Sequence, residues 1–132
     1  MLKNYTAELA PDLQKYPVMI MTKPYCQFKY NAAESDSFTV IAHRGASAYF
    51  PENTMVSFEG AIALGADMVE LDVQLTADGE VVVFHDERIS RCTNGRGSIA
   101  DYTLVELKKL DAGRWFDKKY AGARLPTLVE AL

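Results

Sequence analysis

The stretch Gly65–Asp86, GADMVELDVQLTADGEVVVFHD, carries the strongest pattern in the chain. Between Met68 and Leu75, apolar residues flank two carboxylates, Glu70 and Asp72. Side chains alternate faces along a strand, so both leave the same face. No Lys or Arg stands beside them in sequence, and a pair of like charges on a partly apolar face resists desolvation. Something positive must come between them: a divalent cation, a shared proton or a cationic side chain from elsewhere in the chain. Asp78-Gly79 is the strongest hairpin signal, with Val81–Phe84 as the returning strand, ending in His85-Asp86. A two-residue loop sets Asp72 opposite His85, and a four-residue loop sets Glu70 there. Either register brings an imidazole beside the acidic pair.

Upstream, Phe38-Thr-Val-Ile-Ala42 reads as a short buried strand ending in His43-Arg44-Gly45. Asn53 or Thr54 then caps a helix, on which Val56, Phe58, Ala61, Ile62 and Leu64 recur with a near-helical period. Gly65 closes that helix as its C′ residue. Strand, helix and strand make a βαβ unit, whose strands should be parallel with a right-handed crossover. Downstream, Glu87–Ala100 is a Gly- and Arg-rich loop. Thr103 and Glu106 form a capping box for a helix with Leu104, Leu107 and Leu110 on one stripe, ended by Gly113. Thr127 and Glu130 announce another helix, and the sequence stops about one turn into it. Residues 1–37 hold scattered prolines, one candidate strand at Val18–Met21 and a polar linker at 31–37; they read as an N-terminal extension, with 38–132 as the organised domain.

At 132 residues with 48% hydrophobic content, the chain can form one modest core. A net charge of -4 offers no electrostatic footprint for nucleic acid or an anionic membrane. Cys26 and Cys92 lack metal-ligand spacing, which argues against zinc. No stretch suits a signal core or a membrane span, so a soluble, cytoplasmic protein without membrane insertion is expected.

The chemistry concentrates at strand ends. His43 and His85 each follow a β-run, and in parallel α/β architectures the strand C-termini form the mouth where ligands bind. Two histidines and two carboxylates converging there suit metal-assisted hydrolysis with a separate acid and base. Oxygen ligands at Glu70 and Asp72 favour Mg²⁺ or Ca²⁺. Arg44, beside His43, can hold an anionic oxygen bidentately. Trp115, Phe116 and Tyr120 read as packing, Cys92 as a small buried residue, and Asn94–Gly97 as a turn.

Taken together, His43-Arg44-Gly45, Pro51-Glu52-Asn53-Thr54, Glu70-Leu71-Asp72-Val73, Asp78-Gly79 and Val83-Phe84-His85-Asp86 resemble the glycerophosphodiester phosphodiesterases. Thr93-Asn94-Gly95, Leu104–Gly113 and Pro126-Thr127-Leu128 extend the resemblance over about Phe38 to Leu132. It implies an α/β TIM barrel of the phospholipase-C-like type, here cut to its first few strands. It further implies a hydrolase that splits small-molecule glycerophosphodiesters to glycerol 3-phosphate and an alcohol with one divalent cation. On this chain His43 and His85 become the acid/base pair, Arg44 a phosphate contact, and Glu70 and Asp72 metal ligands. The family's third metal-binding carboxylate and a phosphate-binding lysine belong to later barrel strands. That leaves three readings: an active phosphodiesterase, helped by self-association that covers the incomplete barrel; a catalytically incomplete fragment or phosphate-binding module; or a sphingomyelin-type phospholipid hydrolase.

Overall fold

The computed structural model describes residues 18–21 and 39–132, and it builds them around one central strand. In chain order the elements are β1 (Val18–Met21), β2 (Ile41–His43), α1 (Met55–Ala63), β3 (Met68–Leu75), β4 (Val81–Val83), α2 (Leu104–Leu107) and α3 (Leu128–Ala131). Strand β3 lies between β1 and β2 and is parallel to both, which bears out the βαβ reading. The candidate strand in the extension is β1, whose Met19 and Met21 stand in register with Glu70 and Asp72. On the other side His43 is in register with Glu70. The polar linker and Cys26 lie outside the described residues.

Alternation along β3 sorts its side chains. Val69, Leu71 and Val73 pack with Phe58 and Ala61 of α1, so Glu70, Asp72 and Gln74 turn to the opposite face. Strand β4 is the wall between two cores. Val83 joins the α1 cluster, while Val82 joins Phe84, Ile89, Cys92, Ile99, Leu107, Ala112 and Leu125 beneath the long loops. Cys92 is buried as expected, and burial pushes its thiol up to about 12. Helix α3 docks against this wall through Val83 N–H, which donates to Pro126 O at 2.8 Å.

Helix α1 starts and stops as its sequence dictates. Thr54, not Asn53, is the N-cap, trading hydrogen bonds with Ser57. Gly65, with φ +83°, donates to Ile62 O while Ala66 donates to Ala61 O, the paired bonds of a left-handed helix stop. Three other expectations need correction. Strand β2 is not buried: Ala42 faces the α1 core, but Ile41 is 44% exposed because β2 is paired on one edge only among the described residues. Helix α2 stops at Leu107 rather than running to Gly113. The Asp111 carboxylate gathers the N–H groups of Gly113, Arg114 and Gly122, and this local turn takes over from the helix.

The third correction is the hairpin register. Thr76 N–H donates to Glu80 O, which leaves a three-residue loop with Gly79 at φ +82° and pairs Val73 with Val83. Phe84 N–H therefore donates to Asp72 O at 2.9 Å. Neither carboxylate comes directly opposite His85. The three-residue loop falls between the two loop lengths that the Asp-Gly signal suggested.

Candidate active site

The turn after β2 is held in an unusual backbone. Arg44 (φ +58°) and Asn53 (φ +54°) are the non-glycine residues in left-handed conformation among those described, and they bracket one loop. Every polar group of Arg44's backbone is used. Its N–H donates to Glu70 Oε2 at 3.0 Å, and its carbonyl accepts from Asn53 N–H and from Ser57 Oγ, each at 3.1 Å. Gly45 follows at φ +77° against α1, where a Cβ would lie 2.6 Å from the Ser57 carbonyl carbon. Sequence therefore fixes this loop by a glycine at close approach and a carboxylate beneath it.

Glu70 is only 4% exposed, and burial pushes its carboxyl upward, with the Asp72 charge adding to the effect; the Arg44 N–H, His43 and the Arg44 charge oppose it. His43 sits over it, Nε2 to Glu70 Oε2 3.9 Å, with its ring mostly in solvent. Of the three ways to supply positive charge to the pair, the described residues show the distant side chain. Arg44 Nε lies 3.2 Å from Asp72 Oδ2, and Arg44 Nη1 donates to Glu52 Oε1 at 3.0 Å. The Nε approach lacks hydrogen-bonding geometry, which leaves that nitrogen unpaired among the described residues. Asn53 Nδ2 donates to Asp72 Oδ2 at 3.1 Å, an orientation fixed because a carboxylate only accepts. The other end of that amide, Asn53 Oδ1, is buried and has no hydrogen-bond partner among the described residues.

His85 is set by a second group. Gln74 Nε2 reaches the carbonyls of Phe84, His85 and Asp86 at 3.2, 3.0 and 2.6 Å, pinning the chain just past β4. The ring's Nδ1 lies 2.6 Å from Asp86 Oδ1. Hydrogen bonds from Arg91 hold the Asp86 carboxyl far below the usual range, and the His85 contact lowers it further. An ionised carboxylate has no proton to give, so Nδ1 donates, and Nε2 is the ring nitrogen that Asp86 does not hold. Arg91 also donates to both oxygens of Glu52, and these bonds, with those from Arg44, hold that carboxyl low as well.

The structure thus gathers Glu70, Asp72, His43 and Arg44 where the end of β2 meets the middle of β3, and sets His85 just past β4. Sequence reasoning missed Asn53, Gln74 and Arg91 as members. Gln74 was legible as the next same-face position after Glu70 and Asp72. Of the two cap candidates, Asn53 and Thr54, the structure uses Thr54 and leaves the Asn53 side chain to Asp72. Among the described residues no three His, Cys, Asp or Glu side chains converge as a ready metal cluster.

Residues 43–132 match the glycerophosphoryl diester phosphodiesterase family. The chain belongs to that family. It is 60% identical over 91 residues to a glycerophosphodiester phosphodiesterase of Caldanaerobacter subterraneus, covering 69% of this chain and 37% of that one. A Bacillus subtilis glycerophosphodiester phosphodiesterase is 46% identical over 112 residues, or 79% and 38% of the two chains. Among solved structures, the Oleispira antarctica phosphodiesterase in complex with the product sn-glycerol-3-phosphate aligns at TM-score 0.69 and 49% identity, covering 70% of this chain and 38% of that one. The Agrobacterium tumefaciens glycerophosphodiester phosphodiesterase also aligns at 0.69, with 43% identity and 70% and 40% coverage. The α/β framework therefore matches part of the family's TIM-barrel structures, and the chain spans about 38% of the length of these relatives. No helix among the described residues is long and apolar enough to cross a membrane.

Proposed function

We propose that this chain carries one side of a phosphodiester-hydrolysing site, in which a glycerophosphodiester is split to glycerol 3-phosphate and an alcohol. The observation that carries the reading is the buried Glu70 beside Asp72 on the β3 face, with His43 above it and the strained Arg44 turn donating into it. The Oleispira relative, which binds sn-glycerol-3-phosphate, supports the substrate class. His43 and His85 are proposed as the acid/base pair. One neutral imidazole takes a proton from the attacking water as the water oxygen bonds to phosphorus. The other, protonated, gives a proton to the alkoxide released as the phosphorus–oxygen ester bond breaks. His85 works through Nε2, because Nδ1 is held by Asp86.

The donor set fits a hard divalent cation: two carboxylates, one of them pushed upward by burial, and the Asn53 amide oxygen, buried and without a partner among the described residues. Glu70 and Asp72 would hold Mg²⁺ or Ca²⁺, which when bound supplies charge stabilisation to the phosphoryl oxygens. Arg44 is proposed as the phosphate contact, a role that requires its guanidinium to leave Asp72 for a substrate oxygen. A second reading, a phosphate-binding half-site that does not turn over, is supported by the share of its relatives that the chain spans, about 38%. The exposed Val40 and Ile41, just before and at the start of β2, support self-association of copies across that edge, which light scattering on the purified chain tests directly.

Hydrolysis of glycerophosphocholine in Mg²⁺ or Ca²⁺, then in EDTA, separates these readings, with sphingomyelin as a parallel substrate. Release of glycerol 3-phosphate that EDTA abolishes and His43→Ala removes is the expected result. A chain that melts cooperatively yet releases nothing rejects the hydrolase and leaves the binding module.

A further inference from the structure

Arg91 is joined by four hydrogen bonds to two carboxylates that come from different parts of the chain. Its Nε and Nη2 donate to Asp86 Oδ2 and Oδ1 at 2.6 and 2.9 Å. Its Nη1 and Nη2 donate to Glu52 Oε2 and Oε1 at 2.9 and 2.7 Å. Each carboxylate is gripped by two nitrogens, a geometry that a planar guanidinium provides and an ammonium does not. The line continues in both directions. Asp86 meets His85 Nδ1 at 2.6 Å, and Glu52 accepts from Arg44, the residue after His43. Alternating charges thus run from Asp86 through Arg91, Glu52 and Arg44 to Asp72, with His85 joined to the Asp86 end. A surface arginine with one partner would be worth little, but here a side chain still 45% exposed gives four of its five N–H groups to two carboxylates.

We propose that Arg91 is a positioning residue for His85: by clamping Asp86 against Glu52 it fixes the ring with Nδ1 as donor and Nε2 free, and ties that orientation to the loop that follows His43. Asp86 alone, next to His85 in sequence, has free rotation about its own side chain. Arg91 removes that freedom. The consequence for catalysis rests on the function proposed above, but the ring's tautomer does not.

The chain has two histidines, so a long-range proton–nitrogen spectrum of ¹⁵N-histidine-labelled protein resolves both rings. In the parent at neutral pH, His85 should show a proton-bearing Nδ1 and a bare Nε2. In Arg91→Met the Nε2–H form should gain population at His85, while the His43 nitrogens stay in place. Arg91→Lys keeps the charge without the paired bonds and should shift His85 in the same direction by less. It also serves as the folded comparison should Arg91→Met fail to melt cooperatively. A parent ring in the Nε2–H form, or an unchanged His85 tautomer in a folded variant, overturns the proposal. In the hydrolysis assay, Arg91→Met should lower kcat by about 10- to 100-fold with KM little changed, the usual consequence of losing a group that orients an active side chain. Failure of the parent to hydrolyse anything rejects the proposed function and leaves the tautomer result to decide the role of Arg91.

Discussion

Gly45→Ala and Gly65→Ala make a matched pair, because both glycines have positive φ, +77° and +83°, but only one has neighbours. Placing an L-residue in the left-handed region costs about 1–2 kcal/mol, and that cost applies to both variants. A Cβ on Gly65 meets nothing within 4 Å. A Cβ on Gly45 would lie 2.5 Å from Ser57 Oγ, 2.6 Å from its carbonyl carbon and 2.7 Å from its carbonyl oxygen. Those are helix backbone atoms and a side chain already bonded to Thr54 and to Arg44 O, so no free end can swing away. Overpacking of that kind adds about 1–3 kcal/mol. Urea denaturation should therefore place Gly45→Ala about 1–3 kcal/mol below Gly65→Ala, a separation of roughly 5–20 °C in Tm for a domain of this size. Relief of the clash moves the Arg44 turn off α1 and with it the N–H that caps Glu70. Hydrolysis should then fall in Gly45→Ala and hold in Gly65→Ala. Equal stability of the two variants would refute the argument that this glycine exists for close approach.

Leu107→Ala, at a fully buried site under β4, should cost about 2–5 kcal/mol by denaturant titration, and a loss under 1 kcal/mol would place Leu107 outside the core. Arg91→Met should lower stability by on the order of 1 kcal/mol at pH 7. Glu52 and Asp86 have folded pKa values below their unfolded ones, so the unfolded chain binds more protons as pH falls. The stabilisation is present above about pH 4, where unfolded carboxylates are ionised, and disappears as pH falls through the folded values. The gap between parent and Arg91→Met should close below about pH 4; a gap that widens there would contradict the ion-pair account. Cys92, with its thiol pushed up to about 12, should resist iodoacetamide in the native chain and react on unfolding, as read by peptide mass mapping. Asp72→Asn should abolish Mn²⁺ binding seen by electron paramagnetic resonance, and retained binding would remove Asp72 from the ligand set.

What could be read from sequence depended on how far apart the cooperating residues lie. The helix stop at Gly65 and the capping box at Thr127 are decided within six residues, and local chemistry reads them correctly. Period-2 alternation placed Glu70 and Asp72 on one face, because a strand's geometry leaves no other choice. The loop length after β3 is also local, yet the Asp-Gly signal does not separate two- from three-residue turns, and one residue of slip moved His85 away from the carboxylates. Arg91 lies 39 residues from Glu52, inside a loop with no period to mark it. Nothing in the order of residues says that its guanidinium will meet Asp86 and Glu52 together. The same limit explains the acidic pair. Sequence shows that Glu70 and Asp72, on one face of a largely apolar strand, are costly unless a cation, a shared proton or a cationic side chain comes between them. It leaves open which partner arrives, because that depends on a turn in left-handed backbone that brings Arg44 across to Asp72. The demand for a cation is local, and the supply is tertiary. Under the function proposed above, Arg44 has to leave Asp72 to meet a phosphate, so it is the residue whose movement should accompany binding.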